Sequence, residues 1–120
     1  MTNIYALVCG TLEPVGFPVG KQGSFSAEDE KNLPETYITY QVIDTPSKSY
    51  ADNRPTGRST RIQLTMYSSN PELTQGADST FKAVMIPAGF MRVGGRDLPY
   101  DPSTGRGGYT CDYRYYDMED

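Results

Sequence analysis

Two periods of apolar and polar residues alternate along the chain, and the changes between them mark its elements. Ile4, Leu7, Val8 and Leu12 recur at helical spacing, which puts one apolar stripe on a helix. Thr2 or Asn3 supplies the cap, and Pro14 stops the helix. Val15 to Val19 reads as a short extended piece interrupted by Gly16 and Pro18, and Gly20 to Pro34 as a polar, acidic loop anchored by Phe25 and Leu33. At Glu35 to Asp44 the period drops to two. Ile38, Tyr40 and Val42 fall on one face, and Tyr37, Thr39 and Gln41 on the other, the pattern of a strand. Thr45 to Gly57 carries Pro46, Asp52, Asn53, Pro55 and Gly57. It predicts a long connection with room for a short strand at Lys48 to Ala51.

Arg58 to Ser68 is a second strand, with Thr60, Ile62, Leu64 and Met66 facing one way and Arg61, Gln63, Thr65 and Tyr67 the other. Asn70 or Ser69 then caps a helix with Pro71 in its first turn. Leu73, Ala77, Phe81, Val84 and Ala88 form its apolar stripe, and Gly89 ends it after an irregular last turn at Pro87. Phe90 to Val93 begins a strand, Gly94 to Gly108 is turn-rich, and Tyr109 to Tyr116 is the closing strand, with Tyr109, Cys111, Tyr113 and Tyr115 on one face. Strands adjacent in sequence favour hairpins. The expected fold is α+β: a small antiparallel sheet of about four strands with two helices packed on it. At 120 residues the chain suits a single domain.

Composition sharpens this picture. Ten tyrosines and no tryptophan suit half-buried strands, where the ring packs and the hydroxyl stays wet. Tyrosines on both faces of the strands imply that the second face is covered too, by a neighbouring subunit. The net charge of −4 and pI near 4.7 argue against free nucleic-acid binding, which needs a basic patch. Arg54, Arg58 and Arg61 are the densest basic group and read as solvated charge at a strand entrance. No run of about eighteen apolar residues is present, and Met1 to Leu12 lacks the basic and long apolar regions of a secretory signal. Cys9 and Cys111 are far apart and fit no metal or redox spacing. They are expected to be two buried free thiols.

Histidine is absent, which removes the commonest general base, the commonest metal ligand and every Ser-His or Cys-His pair. Neither a nucleophile elbow nor a phosphate-binding loop motif occurs. Gly105-Arg106-Gly107-Gly108 precedes a strand and not a helix, so it reads as a turn. The acidic run Glu28, Asp29 and Glu30, and the loop carboxylates Asp97 and Asp101, show no converging calcium pattern.

The segment from Leu33 to Ser69, LPETYITYQVIDTPSKSYADNRPTGRSTRIQLTMYSS, resembles a pattern of the tail-terminator, or tail-completion, proteins of siphophages and prophages. That pattern has an LP-x-TYI-x-Y strand, a loop ending in an Ala-Asp step, and a strand of the R-x-Y-x-IQV type. Downstream, Ala88-Gly89-Phe90 and the stretch from Arg92 to Gly105 with Leu98-Pro99-Tyr100 and Thr104-Gly105 are similar in kind, before a closing aromatic strand. The likeness covers about two-thirds of the chain, from Leu33 onward; Pro87 departs from it. The resemblance implies a non-catalytic virion protein with no cofactor and no bound metal. Such proteins form a hexameric ring that caps the finished tail tube and joins it to the head connector, with DNA passing through. It implies a homo-oligomer with tail-tube and stopper proteins as partners, assembled in the host bacterial cytoplasm and away from membranes.

Long connections in compact domains often carry function. Asp52, Asn53 and Arg54 in the first connection, and Arg96, Asp97 and Tyr100 in the second, are therefore the expected interface residues. Glu28, Asp29 and Glu30 are expected to line the channel, where negative charge keeps DNA from sticking. The alternatives are another neck protein (a stopper or head-completion protein), a monomeric carbohydrate- or protein-binding module that uses its tyrosines, and a hydrolase built on Asp97 and Asp101.

Overall fold

A computed structural model describes the backbone of residues 3–21, 34–51 and 54–117, and the side chains of these except in 44–51, 54–58 and 117. Glu28, Asp29, Glu30, Asp52 and Asn53 lie outside the described residues. The elements in chain order are α1 (Ile4–Leu12), a 3-10 turn (Glu13–Val15), β1 (Val19–Lys21), β2 (Thr36–Ala51), β3 (Arg54–Ser68), α2 (Pro71–Gln75), α3 (Ala77–Met85), β4 (Phe90–Asp101) and β5 (Arg106–Asp117). The fold is α+β. Its five-stranded sheet has the order β1-β2-β3-β5-β4 and is antiparallel except for β1, which runs parallel to β2.

The helices form where caps and spacing allow them. The Asn3 side chain accepts the Tyr5 and Ala6 amides at the start of α1, and Asn70 accepts the Glu72 amide at the start of α2, each satisfying donors that a helix leaves open. The single second helix expected from the stripe is two helices. Gly76, at φ −90° and ψ 0°, turns the chain out of helical geometry between them, where glycine's low helix propensity resists least. Gly89 at φ +100° then makes the left-handed step into β4 that a side chain would oppose.

The expected connection from Thr45 to Gly57 is mostly ladder: β2 continues to Ala51 and β3 begins at Arg54. Pro46 falls inside the register shift between Asp44 and Ser47, and a bulge needs no amide from its extra residue. The ladder therefore survives a residue that normally ends it. The longest dimension of the chain, 53 Å, matches a sixteen-residue strand at roughly 3.3 Å per residue.

The turn-rich stretch from Gly94 to Gly108 is likewise a hairpin. β4 runs to Asp101 and β5 starts at Arg106. Asp101 Oδ1 accepts from the Ser103 amide at 2.9 Å and its hydroxyl at 2.7 Å, closing an Asx turn that Gly105, at φ +70°, completes. The apparent breakers have local explanations. A Cβ on Gly95 would overlap the Tyr109 hydroxyl oxygen and lie 2.9 Å from the Thr110 carbonyl, so glycine marks a close approach. Pro99 lies in the register shift between Leu98 and Asp101 on an edge strand, where proline is tolerated.

Register sorts the two faces of the sheet into rows. On one face run Ile38–Met66–Tyr109, Tyr40–Leu64–Cys111 and Val42–Ile62–Tyr113. Val8, Leu12, Ala77, Phe81 and Met85 of the helices close over these rows to make the core. The opposite face carries the rows Tyr37–Tyr67–Gly108–Leu98, Thr39–Thr65–Thr110–Arg96 and Gln41–Gln63–Asp112–Gly94. Its residues Tyr37, Thr39, Thr65 and Thr110 are buried too, and Leu98 and Gly108 share a cleft with α2. Both faces match the alternation expected for β2, β3 and β5. Cys111 is buried as expected, but Cys9 is exposed, because it lies off the Val8–Leu12 stripe of α1.

Candidate functional site

The predicted interface residues do not come together as one loop cluster. Arg96, Asp97 and Tyr100 lie on β4, an edge strand. Arg54 is the first residue of β3. Thr65, in line with Arg96 across the sheet, is eleven residues from Arg54, roughly 36 Å along a strand. Three of the expected interface residues therefore share β4.

On the helix face β4 is tied down by ions. Arg92 Nε donates to Asp78 Oδ1 at 2.9 Å, and its Nη2 donates to the Tyr109 hydroxyl at 3.2 Å. Lys82, one turn along α3 from Asp78, approaches the same carboxylate at 3.2 Å. Burial alone raises the Asp78 pKa, but the hydrogen bonds from Arg92 and Lys82 outweigh it and hold the carboxyl below its ordinary range. Arg92 is held protonated by the Tyr109 hydroxyl and by Asp78. Deeper in, burial pushes the Cys111 thiol and the Tyr113 phenol up. The Tyr113 hydroxyl is buried with no hydrogen-bond partner among the described residues. Near α1, the Tyr40 phenol is pushed up to about 12, first by its hydrogen bond with Cys9 and then by burial. These shifts belong to groups locked in packing. The Tyr40 phenol differs in having the exposed Cys9 thiol as its partner.

Beyond the charge network, β4 borders two depressions on opposite faces. On the helix side a cleft of about 320 Å³ lies between α2 and the β4–β5 hairpin, with Thr74, Gln75, Asp97, Leu98 and Tyr100 in its wall. On the other side a notch of about 180 Å³ is framed by Arg61, Arg96, Thr110 and Asp112, with Gly94 and Gly95 beside them. A Cβ on Gly94 would meet nothing within 4 Å. Arg61 is engaged there: its Nη2 donates to Asp112 Oδ2 at 2.5 Å and its Nε at 3.0 Å. Arg114 donates to the Ser59 hydroxyl at 3.2 Å. A larger, shallower groove beside α1 holds the exposed Cys9 and Glu13, with no other titratable side chain among the described residues of its wall.

Asp97 and Asp101, the carboxylates weighed for hydrolysis, differ in circumstance. Asp101 is committed to its own turn, where the Ser103 hydrogen bonds hold its pKa down. No group of three or more His, Cys, Asp or Glu able to hold a metal occurs among the described residues, and no described helix is long and apolar enough to cross a membrane. Sequence reasoning misses Met91 and Val93, exposed apolar residues of β4, because Gly94 ends the strand by local propensity. It also misses the Arg61–Asp112 pair, whose odd and even positions become neighbours only through the β3–β5 register. Compared with known proteins, the chain matches no family model and no curated protein.

Proposed function

We propose that this chain is a non-catalytic structural protein of a phage tail, a terminator that assembles as a hexameric ring, caps the finished tail tube and joins it to the head connector. The observation that carries the reading is the ordered series of motifs from Leu33 to Ser69 and from Ala88 to Gly105, which resembles that family in sequence and spacing. The α+β fold suits the reading. So does the shape of its surface: a ribbon whose tip, residues 48–51 and 54–57, extends past the last paired residue of β5, and an edge strand of twelve residues. Rings are built from heterologous contacts that use two different patches of each subunit, and such edges and arms are available patches. The channel role of Glu28, Asp29 and Glu30, and the contacts of Asp52, Asn53 and Arg54, are part of the proposal.

The test is reconstitution on tail tubes that lack this protein. Purified chain is expected to bind one end of the tube as a ring seen by electron microscopy, and to stop further tube growth, in the absence of heads. Failure to bind tubes, together with binding to heads or connectors, would place the chain among the stopper or head-completion proteins instead. Binding to neither would overturn the neck assignment altogether.

A further inference from the structure

We propose that β4 is a head-to-tail contact between copies of this chain, with Arg96 of one copy set against Asp97 of the next. The inference rests on the ring reading above and names the residues that hold the ring together.

Three observations converge on this strand. First, β4 pairs with β5 on one side only and is the edge of the sheet over twelve residues. It carries large apolar side chains turned to solvent, with Met91 63 %, Val93 44 % and Tyr100 65 % exposed. Unpaired edges with such residues are ready sites of association. The register shifts at Val93 and around Pro99 are devices that keep an edge from extending into an endless ladder. They favour a contact made by side chains at defined positions.

Second, β4 carries one arginine and one aspartate that have no partner among the described side chains. Arg61, Arg92, Arg106 and Arg114 each have a polar partner. Arg96 is the arginine among the described side chains without one. On the acidic side, Asp78 and Asp112 are in ion pairs and Asp101 caps its turn. Asp97 is the aspartate among the described side chains without a partner. These two opposite charges are consecutive in sequence. They face opposite sides of the sheet, since Arg96 pairs with Thr110 and Asp97 with Tyr109 and strand side chains alternate. Each borders its own depression: the notch beside Gly94 for Arg96, and the cleft beside Tyr100 for Asp97.

Third, the two charges are complementary between copies. In a ring every contact is heterologous, so the Arg96 side of one copy meets the Asp97 side of the next, and the ring closes when the rotation per step allows. The apolar Met91, Val93 and Tyr100 flank the charges and supply area to exclude water around them.

Charge exchange tests the pairing. The mass of the wild-type chain in solution is measured by light scattering at low salt and at 0.5 M NaCl, beside Arg96→Glu, Asp97→Arg and an equimolar mixture of the two variants. Wild type is expected at several times the 13.3 kDa subunit mass, falling as salt screens the contact. Each single variant is expected at the subunit mass, because every contact then opposes like charges. The mixture is expected to recover the wild-type mass. Alternating copies set the acidic replacement at position 96 against the basic replacement at position 97, and at the next contact the native Arg96 against the native Asp97. Recovery on mixing also shows that both variants are folded. Wild-type assemblies unaffected by either substitution would overturn the β4 pairing and leave the ring reading standing. Variants that fall to the subunit mass and stay there on mixing would overturn it too. A wild-type chain that remains at the subunit mass at all concentrations would overturn both.

Discussion

The two faces of the sheet are built from the same strands and do different work. On the helix face, rows of Ile38, Leu64, Ile62 and Tyr113 lie under Leu12, Phe81 and Met85 with almost no exposure. This face is where the hydrophobic effect acts, at about 25 cal/mol per Å² of apolar surface buried. The opposite face is organised by polar rows. Thr65 and Thr110 share a hydroxyl contact at 3.1 Å, Tyr37 and Tyr67 stack at 5.1 Å, and Arg61 holds Asp112. Cross-strand pairs of this kind contribute a few tenths to about 1 kcal/mol each, too little to drive folding but enough to fix register and present a defined surface. The opposite face is buried along its central row as well, with Thr39, Thr65 and Thr110 each 4 % exposed, and the exposed apolar residues Met91, Val93 and Tyr100 gather on the β4 edge.

The contrast is sharpest at two adjacent residues of β3. Leu64→Ala on the core face is expected to cost about 2–5 kcal/mol, and Gln63→Ala on the opposite face no more than about 0.5 kcal/mol, both read from urea unfolding at pH 7. Similar losses at the two positions would break the comparison. Gly95→Ala tests the close approach at the edge. Its methyl would collide with the Tyr109 ring and the Thr110 carbonyl, at an expected cost of about 1–3 kcal/mol, whereas Gly94→Ala, which meets open space, should cost less.

Acid unfolding should expose the ion network beneath the helices. The folded-state pKa of Asp78 is lowered. Its contribution is therefore present above the ordinary carboxylate pKa and is lost as pH falls through the lower folded value. Asp78→Asn removes that contribution, on the order of 1 kcal/mol after discounting for solvent screening of a partly exposed group. The difference from wild type should shrink as the pH is lowered below about 4; a constant difference across pH would assign the loss to packing. The smallest effect has the opposite sign. Tyr113→Phe deletes a buried hydroxyl that has no partner among the described residues, so it should be neutral or stabilise by up to about 1 kcal/mol. A clear loss of stability would mean that the hydroxyl is satisfied in solution, for instance by a buried water.

Much of this is legible in the chain. The α+β class, caps at Thr2 or Asn3 and at Ser69 or Asn70, and the two-sided alternation of β2, β3 and β5 follow from spacing and side-chain chemistry; the structure decides for Asn3 and Asn70. The stretches where expectation and structure differ have a common cause. Pro46, Gly94, Gly95 and Pro99 are breakers by local propensity, yet each lies in an extended strand. Bulges, an edge position or a neighbour that fills the space a Cβ would take makes them acceptable there, and those conditions depend on the partner strand. The expected interface residues Arg96, Asp97 and Tyr100 are loop residues by local propensity; they stand on a strand, where alternation gives Arg96 and Asp97 opposite directions.

By itself the sequence determined which residues are apolar, with what period, and where helices can start, because those are properties of neighbours along the chain. Local chemistry also placed Arg96 and Asp97 side by side. Only the tertiary structure decided that they flank a free edge, face opposite ways and lack partners within the described part of the chain. Register and strand order are set by pairing between distant segments, and a one-residue slip would have reversed every side chain of β4.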